Sequence, residues 1–144
     1  MLSADQVGWD WFSVQLDGGQ ELMLCHLRNR DGSIGAFSSG TLVGKDGSTR
    51  TLAREDFAIR TLARWTSPHS GGVYPAAWQI EVPSASLTLE VRPRLADQEL
   101  RTAQSTGVTY WEGCCAVRGE HHGEATGGDA YVELVGYAGK VAWF

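Results

Sequence analysis

The chain has 144 residues, enough for one domain with a hydrophobic core, and a formal net charge of −5. This acidic balance argues against a nucleic-acid partner, because phosphate binding needs a basic surface. No apolar run is long enough to span a bilayer, and the first six residues lack the basic flank and apolar stretch of a signal peptide. We therefore expect one soluble, cytoplasmic domain over residues 1–144, with no membrane span.

Period-2 alternation dominates the first half of the chain. In the strand predicted at residues 8–16, one face carries Asp10, Phe12, Val14 and Leu16, and the other carries Trp9, Trp11, Ser13 and Gln15. The Asp-Gly-Gly run at 17–19 predicts a hairpin turn. Further strands are predicted at 21–28, 34–43, 48–52 and 57–65.

The second half contains the clearest hairpin of the sequence. Its apolar residues alternate with polar ones on two strands that a Pro-Ser-Ala-Ser turn joins: Trp78, Ile80 and Val82 on the first, Leu87, Leu89 and Val91 on the second. Residues 94–106 are polar and irregular, with room for one helical turn. Strands at 110–118 and 130–137 complete a set of nine. Closure of such a set removes exposed edges, which favours an antiparallel barrel or sandwich.

Two acidic residues are candidates for general acid catalysis. Asp10 lies on the apolar face of the first strand, where burial would raise its pKa and favour proton donation. The alternative is a structural role, in which the Asp10 carboxylate accepts backbone or indole hydrogen bonds. Glu112 could line the mouth of a cavity, or be a solvated or paired strand residue.

Aromatic residues are the candidates for ligand binding. Trp9 and Trp11 share the face opposite Asp10, where they could cover the outside of a barrel, pack on a partner barrel or stack on a ligand. The other candidates lie in later strands: Trp78, Tyr110 and Trp111.

The cysteines and histidines favour no metal site. Cys114 and Cys115 are adjacent, and neighbouring strand residues point to opposite faces, so they suit neither a disulfide nor a zinc knuckle with His121 and His122. With Cys25, we expect three reduced thiols. The sequence also lacks a phosphate loop, a dinucleotide fingerprint and a Gly-x-Ser-x-Gly elbow, so no cofactor is expected.

Several short signatures resemble a known family in their order along the chain. They are Gly-Trp-Asp-Trp-Phe at 8–12, Glu-Leu-Met-Leu at 21–24, Trp-Thr-Ser-Pro at 65–68, Tyr-Pro at 74–75 with Trp78, Tyr-Trp-Glu-Gly at 110–113 and the run 131–138. Together they resemble the AttH-like, carotenoid 1,2-hydratase-related lipocalin family.

The resemblance implies a lipocalin-like antiparallel barrel of about eight to ten strands. Members of this family usually carry two barrels, and this chain resembles the second; related full-length proteins are often secreted or periplasmic. In the hydratase branch, an Asp-His-Glu/Asn-Trp signature lies upstream of the segment that residues 2–8 resemble. The histidines here, at positions 26, 69, 121 and 122, lie in no such motif.

Two functions follow as hypotheses. The first is a barrel that binds an apolar small molecule or packs on a second barrel, as a homodimer or with a partner barrel. The second is a hydratase or isomerase that protonates an isoprenoid-like alkene, with Asp10 or Glu112 as the proton donor.

Overall fold

A computed structural model describes residues 4–139 of the chain. These residues form ten strands: β1 (Gln6–Leu16), β2 (Glu21–Asn29), β3 (Ser39–Val43), β4 (Thr49–Ala53), β5 (Ala58–Thr66), β6 (Val73–Val82), β7 (Leu87–Pro93), β8 (Glu99–Arg101), β9 (Thr109–His121) and β10 (Glu124–Val135). Two 3₁₀ turns, Arg54–Asp56 and Pro83–Ala85, join β4 to β5 and β6 to β7.

All strand pairs are antiparallel, and they make one curled, half-barrel sheet. The strand order is β4-β3-β2-β1-β10-β9-β7-β6-β5, and β8 pairs with β9 outside this path. Within the described residues the pairing runs from β4 to β5 without joining these two strands to each other. The predicted all-β, lipocalin-like antiparallel fold is confirmed. No helix in residues 4–139 is long and apolar enough to cross a membrane.

The alternation of side chains assigns the two faces of the sheet as predicted. On β1, Phe12 and Val14 are fully buried, whereas the residues between them are partly exposed. The β6–β7 hairpin pairs Trp78 with Val91 and Ile80 with Leu89, and all four are buried. The inner face therefore forms one hydrophobic core, to which most strands contribute.

Strand bounds differ from the predicted ones where a bulge or a very short strand hides the alternation of apolar and polar residues. β6 begins at Val73, because a bulge opposite residues 61–64 accommodates Pro75 and Ala77. The helical turn allowed at 94–106 is wrong: β8 lies there and pairs Leu100 with Tyr110. Three residues are too few to show a period, which is why the pattern missed this strand.

Candidate functional site

A buried polar cluster lies at one end of the sheet, where β1, β2 and the segment after β10 meet. Arg28 Nε donates to Asp10 Oδ1 at 3.1 Å, and the Tyr137 hydroxyl lies 2.9 Å from both oxygens of the same carboxyl group. The Arg28 guanidinium carbon also stands 3.8 Å from the centre of the Tyr137 ring, a cation–π contact. These three residues are called the Asp10 cluster below.

The local backbone explains how Arg28 reaches this position. On β2, Arg28 is opposite Gly8 of β1, and a register shift between Gln6 and Gly8 bends the strand there. A Cβ atom on Gly8 would stand 2.6 Å from Arg28 Nη2 and 1.9 Å from the carbonyl oxygen of Val135. Glycine at position 8 thus leaves the space in which Arg28 also donates to the Val135 carbonyl.

Burial controls the electrostatics of the cluster. The Asp10 residue is only 9% exposed, and this burial raises the pKa of its carboxyl group, while Arg28 and Tyr137 offset part of the rise. Burial and the Asp10 charge together raise the pKa of Tyr137, so its hydroxyl remains a proton donor in a hydrogen bond at neutral pH.

Aromatic rings connect the cluster to a second group of polar residues. Tyr137 lies against Tyr74, with ring centroids 5.6 Å apart, and Tyr74 stacks on Trp65 at 6.0 Å. The Tyr74 hydroxyl is buried, and the Glu99 carboxylate and the Ser70 side chain lie near it. Burial and the nearby Glu99 carboxylate raise the pKa of Tyr74.

Glu99 is itself held by two hydroxyl groups. Ser67 Oγ and Ser70 Oγ each donate to one Glu99 oxygen at 2.6 Å. Ser67 Oγ in turn accepts from the backbone amides of His69 and Ser70. This network attaches the β5–β6 loop to strand β8. Its role is therefore structural.

The outer face of the same strands carries a shallow groove. Trp9 and Trp11 of β1 line it with Cys25 and Leu27 of β2, and Glu112 and Glu133 complete it. Trp9 Nε1 donates to Glu133 Oε1 at 2.6 Å, which fixes one indole against the edge of the groove. This set of six residues is called the outer groove below.

Exposed apolar residues continue the outer groove along the sheet. Ser13 of β1 pairs with Met23 on one side and Tyr131 on the other. Met23 is 43% exposed and Tyr131 is 39% exposed. The outer surface of β2, β1 and β10 is thus unusually apolar and aromatic for a solvent-facing sheet.

Glu112 lies at the outer groove rather than on the inner face. It is opposite Glu133 of β10, and its pKa is raised first by burial and then by that second negative charge. The two acidic catalytic candidates therefore occupy opposite faces of the sheet: Asp10 inside and Glu112 outside. They do not form one acid–base pair.

The five aromatic candidates are divided in the same way. Trp78 and Trp111 are buried in the core, with ring centroids 6.4 Å apart, and Phe12 contacts the Trp78 ring edge to face at 5.3 Å. Tyr110 is half-buried where β9 pairs with β8. Trp9 and Trp11 share the outer groove. The role of all five residues as ligand contacts stays a prediction.

The Cys and His pairs are arranged as the strand geometry required. Cys114 is exposed and Cys115 is buried on the other face, and all three cysteines are free. Burial raises the pKa of Cys115 to about 12 and also raises that of Cys25, so neither thiol is activated as a nucleophile. Among residues 4–139 no three metal-ligating side chains come together. The expectation of a protein without metal or cofactor stays a prediction.

Sequence reasoning missed Arg28 and Tyr137 as members of the Asp10 cluster. A signal for Arg28 was present: it shares the inward face of β2 with Leu22 and Leu24, and an inward arginine needs an anion on a neighbouring strand. The pattern included Tyr137 in the strand predicted at 130–137, but β10 ends at Val135, and the contact of Tyr137 with Asp10 depends on tertiary structure.

Comparisons with known proteins agree on the family. The AttH-like family profile matches residues 1–137. A crystal structure of an AttH protein from Nitrosomonas europaea is similar, with a TM-score of 0.84, 30% identity and coverage of 96% of this chain but 41% of that one. A search of the curated proteins found no match.

A second solved structure supports the fold alone. Kievitone hydratase from Nectria haematococca aligns over 94% of this chain and 41% of its own, with a TM-score of 0.74 and 19% identity. The chain thus spans about two-fifths of the length of both solved proteins. Because the family profile covers nearly all of its residues, this chain belongs to the AttH-like family of lipocalin-like proteins.

Proposed function

We propose that this chain is a lipocalin-like module that packs on a second barrel through its outer face. The observation that carries the proposal is the outer groove, in which Trp9 and Trp11 lie beside Cys25 and Leu27 on the solvent side of the central strands. Aromatic residues are enriched at the centres of protein interfaces, and monomers seldom expose a contiguous apolar patch of this kind.

The lengths of the related proteins support a second barrel as the occupant. About three-fifths of each solved relative lies outside the region that this chain covers. That remainder is longer than the chain itself and is sufficient for a further domain of similar size. For the isolated chain, a second copy is the available partner, and a two-fold dimer is the commonest arrangement. Measurement of self-association with and without Trp11 tests this proposal.

The aromatic rings of the inner face support the proposal, because they pack on one another. Phe12 and Trp111 both contact Trp78 in the core. An apolar small molecule would therefore bind more readily at the outer groove, between two barrels, than among these rings. The proposal therefore places the binding of an apolar small molecule at the same outer groove.

A hydratase-type reaction is the second candidate, and the Asp10 cluster is what favours it. A buried carboxyl group with a raised pKa could protonate an alkene; water would then add to the carbocation and return a proton to Asp10. The name of the kievitone hydratase neighbour fits this chemistry, although its 19% identity extends only to the fold.

The hydrogen bonds of Asp10 count against that second candidate. Both carboxyl oxygens already accept hydrogen bonds, from Arg28 and Tyr137, so Asp10 is placed as an acceptor. One experiment separates the two functions: incubation with carotenoid and terpenoid alkenes, with tryptophan quenching and product both measured. Quenching without product supports binding, whereas product that disappears in Asp10→Asn supports catalysis.

A further inference from the structure

A groove at the opposite end of the sheet gathers positive charge in an acidic protein. The turns β1–β2, β3–β4, β6–β7 and β9–β10 meet around it. Its lining includes Lys45, Arg50, His121 and His122, and no Asp or Glu is among the described residues that line it. The whole chain has 17 acidic residues against 12 lysines and arginines, so this cationic concentration is local.

Two turns contact the cationic side chains. Arg50 Nη2 donates to Ser84 Oγ at 3.2 Å, across from β4 to the β6–β7 turn. The stem of Lys45 lies against the β1–β2 turn, since a Cβ atom on Gly19 would stand 3.3 Å from Lys45 Cγ. The groove is therefore made by the fold rather than by neighbours in sequence.

The histidines of this groove are held close together by a hairpin turn. Their ring centroids are 4.3 Å apart. His122 and Gly123, with φ values of 52° and 79°, form the two-residue turn between β9 and β10, and tight hairpins of this length require that left-handed geometry. The His122 amide also donates to the carbonyl of Ser86, beside the β6–β7 turn.

Three carboxylates lie beside the groove. Asp46 accepts hydrogen bonds from both the amide and the hydroxyl group of Ser48, within its own turn. Asp17 and Glu124 line a second depression, which shares Gln20 and His121 with the groove. Burial, and then the charge of His122, lowers the pKa of His121. An anion bound in the groove beside the two rings would favour their protonated forms.

We propose that this groove binds a phosphate-bearing anion. Arginine, lysine and imidazolium groups that converge on one groove are the donors that phosphate oxygens prefer. Because protonation of His121 adds a positive charge to the groove, binding should strengthen toward acid pH. This site is independent of the outer groove and of the packing proposed for it.

Calorimetric titration with sodium pyrophosphate at constant ionic strength tests the proposal on the full chain. We expect saturable binding that weakens from about pH 5 to about pH 7, because the lowered pKa of His121 places the loss of its charge in that range. The double variant Lys45→Gln/Arg50→Gln should weaken binding by about tenfold or more, since two charged donors are removed.

A control with the same change in net charge is Arg60→Gln/Arg118→Gln, whose side chains bond to Gln79 and Glu90 away from the groove. It should bind pyrophosphate as the wild type does, and a melting curve of each variant checks that it is folded. Equal weakening in both double variants would overturn the proposal, because it would show unspecific charge attraction.

Vesicles distinguish the two sources of phosphate. The second probe is a vesicle of phosphatidylcholine with phosphatidic acid. We expect the double variant Lys45→Gln/Arg50→Gln to weaken the binding of pyrophosphate, of these vesicles, or of both. Dependence with vesicles only would assign the groove to a lipid headgroup, and dependence with pyrophosphate only to a free anion. Absence of both would overturn the proposal.

Discussion

The Tyr137 hydroxyl lies 2.9 Å from both carboxyl oxygens of Asp10, although 127 residues separate the two in sequence. The contact joins the segment after the last strand to the inner face of the first. Arg28 reaches the same carboxyl group from β2. One buried carboxyl group therefore connects three separate parts of the chain at the end of the sheet.

Removal of the Tyr137 hydroxyl should destabilise the fold. Tyr137→Phe leaves a buried carboxyl group with one hydrogen-bond donor fewer, and we expect the free energy of unfolding to fall by about 1–3 kcal/mol. Denaturant titration measures this loss. Tyr131→Phe is the control: its side chain is 39% exposed, and the change should be within about 0.5 kcal/mol. Equal losses in the two variants would refute a special role for the Asp10 contact.

The β6–β7 hairpin should be essential to the core. Ile80 is fully buried opposite Leu89, and Ile80→Ala should lower the free energy of unfolding by about 2–5 kcal/mol, because it leaves a cavity. Thr88→Ala, at an exposed position of the same hairpin, should change it by less than about 0.5 kcal/mol. A loss near zero for Ile80→Ala would mean that this face is not packed.

Acid should destabilise the protein through His26. Its ring stacks on Phe57 with centroids 5.1 Å apart, and burial lowers the pKa of His26 to about 4. The folded state thus holds the neutral ring, whereas the unfolded chain takes up a proton near pH 6.5. Its contribution to stability is present above about pH 6.5 and is lost as the pH falls toward about 4.

The comparison of variants isolates that contribution. Melting temperatures across this pH range should fall less steeply for His26→Leu than for the wild type. Thr88→Ala, which removes no titratable group from an exposed position of β7, should keep the slope of the wild type. If all three proteins lose stability in parallel, other groups cause the acid sensitivity.

The faces of the sheet could be predicted because alternation is a local property. Asp10, Phe12 and Val14 are on the buried face simply because every second residue of a strand points the same way. The Asp10 cluster could not be predicted in the same way. It depends on the register of β1 with β2, which shifts beside Gly8, and on the position of Tyr137 after β10.

The sequence could not predict which candidate residues lie in the core and which lie on the outer face. Trp78 and Trp11 both occur in aromatic signatures, yet one is in the core and the other lines the outer groove. The sequence assigns a face within each strand, but the curvature of the sheet decides which face becomes the core. The opposition of Glu112 and Glu133 likewise follows from the pairing of β9 with β10.

The proposal that the outer face packs on a second barrel is tested most directly by sedimentation velocity of the isolated chain at high micromolar concentration. We expect a dimer for the wild type and a monomer for Trp11→Ser, because the substitution removes an aromatic ring from the centre of the outer groove. Leu62→Ser is the matched control: Leu62 is 38% exposed on β5, far from β1 in the strand order, and the variant should remain dimeric. A monomeric wild type that Trp11→Ser leaves unchanged would contradict the proposal.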